Sequence, residues 1–339
     1  MGTVRGLAVI ALSTVMALAL TGVLASQIPS SPAAATTPSW QTTASYPPQV
    51  NVSAVSCAPN SASPSSATCV AVGDDGGHLA SIIVTNDGGS TWSRSAPPAG
   101  VTSLDTVSCP SASICYAGGG QGIIKSSDGG ATWSVEDSTF TALSISCVSA
   151  IQCSAVGGST ILGTPDGTTW SYQVAPSGLN SLSSVSCSGT EACVAVGVVG
   201  SRPSIVATQD EDHWSTIDQP SVSALTAISC ANATTCVASG IAEGGGGTTL
   251  RTVDLTNWVA PTSIPSGTQL SGIDCSIETT CISVGTNLDS TPFVIGTSNS
   301  GTTWSSQAAV VPINAVDLTG ISCSGAYDCI AVGSSGNTG

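Results

Sequence analysis

Charge is scarce in this chain of 339 residues. Asp, Glu, Lys and Arg together make up 7% of it, against about 25% in ordinary soluble domains. Few ion pairs are available, so turns and backbone pairing must specify the fold. Positive charge is scarcer still: 5 Lys and Arg stand against 20 Asp and Glu, for a net charge of −15. Recognising a phosphate backbone takes clustered Lys and Arg. That excludes DNA and RNA as partners and disfavours anionic membrane surfaces. Histidine occurs twice, as His78 in a Gly-rich loop and His213 in a turn, which leaves little for metal binding or general-base chemistry. No Gly-x-Ser-x-Gly elbow is present, and Gly244 to Gly247 lacks the Lys of a phosphate loop. The run Asp210-Glu211-Asp212 lacks the ligand spacing of a calcium loop. No metal or cofactor is expected. Aromatics amount to 4%, and 7 of them are Trp. No stretch after residue 30 has helical periodicity over ten or more residues.

The N-terminus reads as an export signal. Arg5 supplies the positive start, Leu7 to Leu24 is an apolar run, and Val23-Leu24-Ala25 fits a small-x-small cleavage site. Residues 1–25 are expected to be a signal peptide, with a retained membrane anchor as the alternative because the run is just long enough to span. Residues 26–39, rich in Ser, Pro, Ala and Thr, read as a flexible spacer. Fourteen Cys, an even number in an exported chain, argue for disulfides.

What fills residues 40–339 is a repeat. Its core is a Ser-Cys step, a short gap, a second Cys, then small apolar residues and Gly. The pairs are Cys57 with Cys69, Cys109 with Cys115, Cys147 with Cys153, Cys187 with Cys193, Cys230 with Cys236, Cys275 with Cys281 and Cys323 with Cys329. All but the first have Cys-x5-Cys spacing, and Asp274 replaces Ser before Cys275. Each unit reads as four short strands. One ends at the first Cys, one begins at the second, one is β-branched as in Ile82-Ile83-Val84, and one starts at a Trp. Such units, repeated, are the signature of an all-β propeller. About seven four-stranded blades are expected, each with one intrablade disulfide. A hairpin pairing satisfies every unit identically, because it joins strand ends whose Cβ atoms can approach to about 4 Å. Zinc knuckles would come in fours at shorter spacing.

Before each Trp stands a turn. Thr85 to Trp92, with Asp87 and Gly89, fits Ser/Thr-x-Asp-x-Gly-x-Thr-Trp in full. So does Ser126 to Trp133, with Asp128 and Gly130. Thr297 to Trp304 has Asn299 in the Asp place and keeps Gly301. Three copies are one residue shorter: Asp166 with Trp170, Asp210 with Trp214, and Asp254 with Trp258. These Asp side chains suit a structural role, accepting backbone N–H groups in their own turns, while the Trp rings supply burial between blades. Trp40 precedes the first Cys pair and no Trp follows the last. A strand beginning near Trp40 is therefore expected to close the last blade. Past Gly339 the repeat would call for a third strand, so either the propeller is C-terminally truncated or its last blade is one strand short.

These turns resemble the Asp boxes of the BNR/Asp-box superfamily of propellers, over residues 40 to 339. Within it the photosystem II stability/assembly factor family is closest in type: one exported propeller of about this length, without an active site, that holds another protein. That family does not carry a Cys pair in every blade, and the resemblance implies no photosynthetic role. Sialidases of the superfamily need three converging arginines, and Arg94, Arg202 and Arg251 occupy different places in their units. The function expected is non-enzymatic binding or scaffolding of a protein or cell-surface component. The alternative is a glycoside hydrolase using two loop carboxylates, drawn from Asp74, Asp75, Glu243 and Asp289, with Phe293 as the one nearby aromatic. No residue is assigned a catalytic, cofactor or metal role.

Overall fold

The computed structural model describes residues 6–12, 40–44, 51–59, 66–75, 79–189, 192–210, 212–265, 268–287, 289–307, 315–325 and 328–335. The signal cleavage site, the 26–39 spacer, His78, Glu211 and residues 336–339 lie outside them. Two strands come from the start of the chain, β1 (Gly6–Leu12) and β2 (Trp40–Ala44). The first blade is β3 (Asn51–Cys57), β4 (Cys69–Asp74), β5 (Ala80–Thr85) and β6 (Ser93–Ser95). The second is β7 (Thr106–Ser108), β8 (Cys115–Gly119), β9 (Gly122–Ser126) and β10 (Ser134–Asp137). The third is β11 (Ser144–Cys147), β12 (Cys153–Gly157), β13 (Thr160–Thr164) and β14 (Ser171–Tyr172). The fourth is β15 (Leu179–Cys187), β16 (Cys193–Val199), β17 (Arg202–Thr208) and β18 (Ser215–Asp218). The fifth has three strands, β19 (Val222–Cys230), β20 (Cys236–Ala242) and β21 (Gly247–Thr252). The sixth is β22 (Thr268–Ile277), β23 (Thr280–Asn287), β24 (Pro292–Thr297) and β25 (Ser305–Ser306). Last come β26 (Ala315–Gly325) and β27 (Asp328–Ser335), in a terminal sheet ordered β2-β1-β27-β26.

The architecture is an all-β propeller. Six blades are built of consecutive strands, which corrects the expectation of about seven alike, four-stranded ones. The terminal sheet is assembled from both ends of the chain instead. The fifth blade also falls short, because its outer strand shrinks to one residue pair, Arg251 with Val259. Pro261 lies two residues on, and Pro has no N–H with which to extend the ladder.

Seven disulfides join the expected pairs, with Cα–Cα separations of 3.9 to 4.1 Å. Cysteines such as Cys147 and Cys153 stand directly opposite across a ladder. Each of the six shorter bridges closes a loop of about seven residues, worth roughly 2 kcal/mol by the chain-entropy argument. Seven disulfides are also the mark of an oxidising environment. Among the described residues, no helix is long and apolar enough to cross a membrane.

The Ser of each Ser-Cys step links neighbouring blades. The N–H of Cys109 donates to Ser56 Oγ, Cys147 to Ser108, Cys187 to Ser146, Cys230 to Ser186 and Cys275 to Ser229, at 2.9 to 3.0 Å. The N–H of Cys323 donates to Asp274 Oδ2 at 2.8 Å, and that of Cys57 to Ser322 Oγ at 3.0 Å. The last of these bonds joins the terminal sheet to the first blade and closes the ring. Thr319 Oγ1 adds a bond to the Val52 carbonyl at 2.6 Å.

The core lies between blades. Val52, Val55, Ile83 and Trp92 of the first blade pack with Ile330 and Val332 of the terminal sheet. Trp214 and Trp304 are buried against the blades that precede theirs, and Trp133, Trp170 and Trp258 pack there half-buried. The Gly that ends each repeat motif has a steric reason. A Cβ on Gly157 would strike the carbonyl of Thr141 in the chain entering β11, and the same holds at Gly197 against Ser181. The first strand bulges there, between Leu182 and Ser184 for example.

Candidate functional site

The propeller has two faces. One carries the disulfides and the turns before the Trp residues. The other carries the hairpins between second and third strands and the links between blades.

On the disulfide face the carboxylates belong to their turns. Asp87 accepts the Thr91 N–H at 2.8 Å and the Thr91 hydroxyl at 2.6 Å. The buried Thr85 hydroxyl donates to Asp87 at 2.7 Å and accepts the Gly89 N–H at 3.0 Å. Asp128 repeats the pattern with Thr132, Ser126 and Gly130. Asn299 keeps it without charge, its Oδ1 accepting the Thr303 N–H at 2.9 Å and its Nδ2 donating to the Thr303 hydroxyl at 2.8 Å. In the shorter turns the acceptor closes one residue earlier. Asp166 takes the N–H of Thr169, Asp210 that of His213 and Asp254 that of Asn257, at 2.7 to 2.8 Å. In one of these turns Leu255 holds φ +60° where another has Gly167 at +72°. Gly adopts that conformation without strain, and Leu does not.

These bonds favour the charged carboxylate. The hydroxyl and N–H of Thr132, with the Ser126 hydroxyl, hold Asp128 at about 2. The His213 N–H leads in holding Asp210 at about 2, against a desolvation that pulls the other way. Burial opposes the shift most at Asp87, yet its bonds to Thr91 and Thr85 still leave it low. His213 is exposed, its Nδ1 2.9 Å from Asp210 Oδ2. Carboxylates held this firmly ionised in their own turns are poor proton donors.

A cavity of about 210 Å³ opens on this face between the third and fourth blades, lined by Gln152, Thr164, Gln173, Asp210 and Asp212 among others. It is smaller than the roughly 300–1,000 Å³ of ordinary ligand sites. Gln173 Oε1 already accepts Trp214 Nε1 at 2.7 Å. Nearby, Lys125 donates to the Gly167 carbonyl at 2.9 Å and lies 5.1 Å from the centre of the buried Tyr116 ring. That lysine is spent on joining the second and third blades.

The opposite face holds the loop acids singled out from the sequence, and they do not converge. Asp74 and Asp75 are in the first blade, Glu243 in the fifth and Asp289 in the sixth. Asp75 accepts the Leu79 N–H at 3.1 Å, and Asp289 the N–H and hydroxyl of Thr291 at 3.2 and 2.6 Å. Phe293 packs against the cluster between the fifth and sixth blades. Among the described residues, no group of three His, Cys, Asp or Glu side chains is placed to hold a metal.

One further acid on this face, Asp105, was not anticipated, and it feels the negative charge of Asp74. Both carboxylate oxygens of Asp74 accept from Asn51 Nδ2, at 3.0 and 3.2 Å. Asp105 stands before β7, its N–H bonded to the Gly118 carbonyl at 2.8 Å. Asp105 is an exposed residue. Desolvation first, and the negative charge of Asp74 second, push its carboxyl above the usual range. The only signal in the sequence is positional: Asp105 sits four residues before its Cys, where other units have Ser53, Ser183, Thr226 or Thr319.

The ring of Ser acceptors has one ionisable member. Asp274 is enclosed by protein and only partly reached by solvent; desolvation pushes its carboxyl up to about 7, against the opposing bond from Cys323.

Fold and faces define a propeller of disulfide-stapled blades. No protein-family model matches the chain, and neither does any curated protein. Solved structures do. YCF48 from Cyanidioschyzon merolae is similar over 86% of this chain and 95% of its own, with TM-score 0.62 and 16% identity. YCF48 bound to D1 peptide is similar over 86% of this chain and 93% of its own, with TM-score 0.57 and 14% identity. The GH74 enzyme of Niastella koreensis matches 75% of this chain and 46% of its own length, with TM-score 0.56 and 15% identity. At these identities the likeness is one of fold.

Proposed function

We propose that this chain is an exported, non-enzymatic binding propeller that holds another protein or a cell-surface component. One observation carries the reading: the turn carboxylates are held ionised by bonds within their own turns, and the loop acids singled out from the sequence are spread over the first, fifth and sixth blades. The similarity to a propeller solved with a bound peptide supports it. In this reading the turns before the Trp residues are Asp boxes with a structural task. The terminal sheet acts as a seventh blade, closed from outside by the strand that starts at Trp40. Residues 1–25 direct export, in keeping with the oxidising environment that seven disulfides require. Partner capture from the native envelope is the direct test, scored by a partner that survives washing and is lost when the blades are reduced.

A second reading has one observation in its favour. Asp74 and Asp105 are neighbouring carboxylates on the loop face, one of them raised, and a glycoside hydrolase needs such a pair. Turnover of aryl glycosides or polysaccharides that disappears in Asp105→Asn would establish it and displace the first reading.

A further inference from the structure

Toward the disulfide face, each of the six blades turns one pair of side chains to the next blade: the residue after its second Cys and that residue's partner in the third strand. Val70 with Val84, Tyr116 with Lys125 and Val237 with Arg251 are three such pairs. In the third blade the pair is Ser154 with Gly163, smaller than in any of the other five. The cavity of about 210 Å³ lies over that pair. It falls short of a whole ligand site and has the size for one long side chain.

The preceding junction shows what such a space takes. Lys125 stands there in the register of Gly163. Its Nζ donates to the Gly167 carbonyl, in the turn of the next blade, at 2.9 Å. One blade on, that cation is missing, and the facing turn brings Asp210 and Asp212 to the cavity. Asp210 has His213 beside it, while the Asp212 carboxylate takes no hydrogen bond from the described residues. Ser154 is 5% exposed. Among the described residues its hydroxyl meets only Cys193 Sγ, at 3.6 Å, and sulfur is a weak acceptor. The wall is fixed in place. The Val174 N–H donates to the Asp212 carbonyl at 2.7 Å, and the Trp214 N–H to the Val174 carbonyl at 2.8 Å.

We infer that this cavity receives one lysine side chain of the bound protein. Its stem fills the space left by Gly163 and Ser154, and its ammonium is met by the Ser154 hydroxyl and the charges of Asp210 and Asp212. A chain of net charge −15 draws a basic segment toward it. The inference deepens the binding reading and rests on it.

The probe is the peptide acetyl-Ala-Ala-Lys-Ala-Ala-amide, added to the full chain. The readout is the indole N–H resonance of Trp214, whose acceptor Gln173 lines the cavity, assigned by its loss in Trp214→Phe. A saturable shift is expected. Binding should weaken about tenfold or more when norleucine replaces the lysine. It should weaken likewise in Asp210→Asn with Asp212→Asn, where Asn keeps the turn as Asn299 does. Gly163→Lys fills the space from within and should abolish binding; if it fails to fold, the double Asn variant still decides. No shift at millimolar peptide would overturn the inference, as would equal binding of the norleucine or an arginine peptide. The same shift from sodium or calcium ions alone would make this a free-cation site and also overturn it. A partner captured equally by wild type and double variant removes this site and leaves the binding reading standing. A lysine-dependent shift with no protein captured keeps the ammonium site and counts against the binding reading.

Discussion

Asp87 and Asn299 hold equivalent turns with and without a charge. Both accept the N–H and engage the hydroxyl of the Thr before Trp. What the turn needs is an oxygen at the right place rather than a negative charge. Asp87→Asn is therefore expected to melt near wild type in urea, while Asp87→Ala loses roughly 0.5–1.5 kcal/mol, the net value of an ordinary hydrogen bond. Asp274 behaves in the opposite way. Its carboxyl rises to about 7 in the folded chain from an ordinary value of 3.8. The folded state holds the proton more tightly, so stability falls as pH rises from about 4 to about 7. Asp274→Ser restores the acceptor found in the other six units. It should remove that fall, on the order of 2–4 kcal/mol at neutral pH, as read from urea midpoints at pH 5 and pH 8.

At the scale of the strand, the blades are joined by side chains that the repeat itself supplies. Ser146 accepts the Cys187 N–H from the next blade. Ser146→Ala would leave that N–H without its acceptor and cost about 1–3 kcal/mol, measured by denaturant unfolding with Ser149→Ala, which loses only an exposed bond from the Ile151 N–H, as comparison. Replacing both Cys109 and Cys115 with Ala should cost roughly 2 kcal/mol while the other blades keep their bridges. Much of this level was legible beforehand. Cys pairs, Trp phase and the turn residues are local and periodic, so they showed directly. The role of Ser in the Ser-Cys step was not legible, because its partner lies 39 to 53 residues along the chain in cases such as Ser108 with Cys147 and Ser56 with Cys109. Nor was the loss of the fifth blade's outer strand, which depends on Pro261 after a shortened turn. Asp105 escaped notice because its meaning arises only from the approach of Asp74 across a blade boundary.

For the whole molecule, the turn carboxylates and Asp274 set opposite limits on pH. Asp128 and Asp210, held at about 2, contribute stability above pH 3.8 that is lost as pH falls toward 2. Asp274 withdraws stability toward neutrality. The melting temperature of the chain should therefore peak near pH 4–5, and in Asp274→Ser the plateau should extend past pH 7, as differential scanning calorimetry would register. All seven disulfides lie within a single sheet, so neighbouring sheets are joined by the chain itself and by non-covalent contacts. Mechanically the protein is a necklace of locked beads fastened by a weak clasp. A pull on the two ends would undo the clasp first, then separate bead from bead. Each inner hairpin would survive the stretching intact, ready to snap back when tension is released.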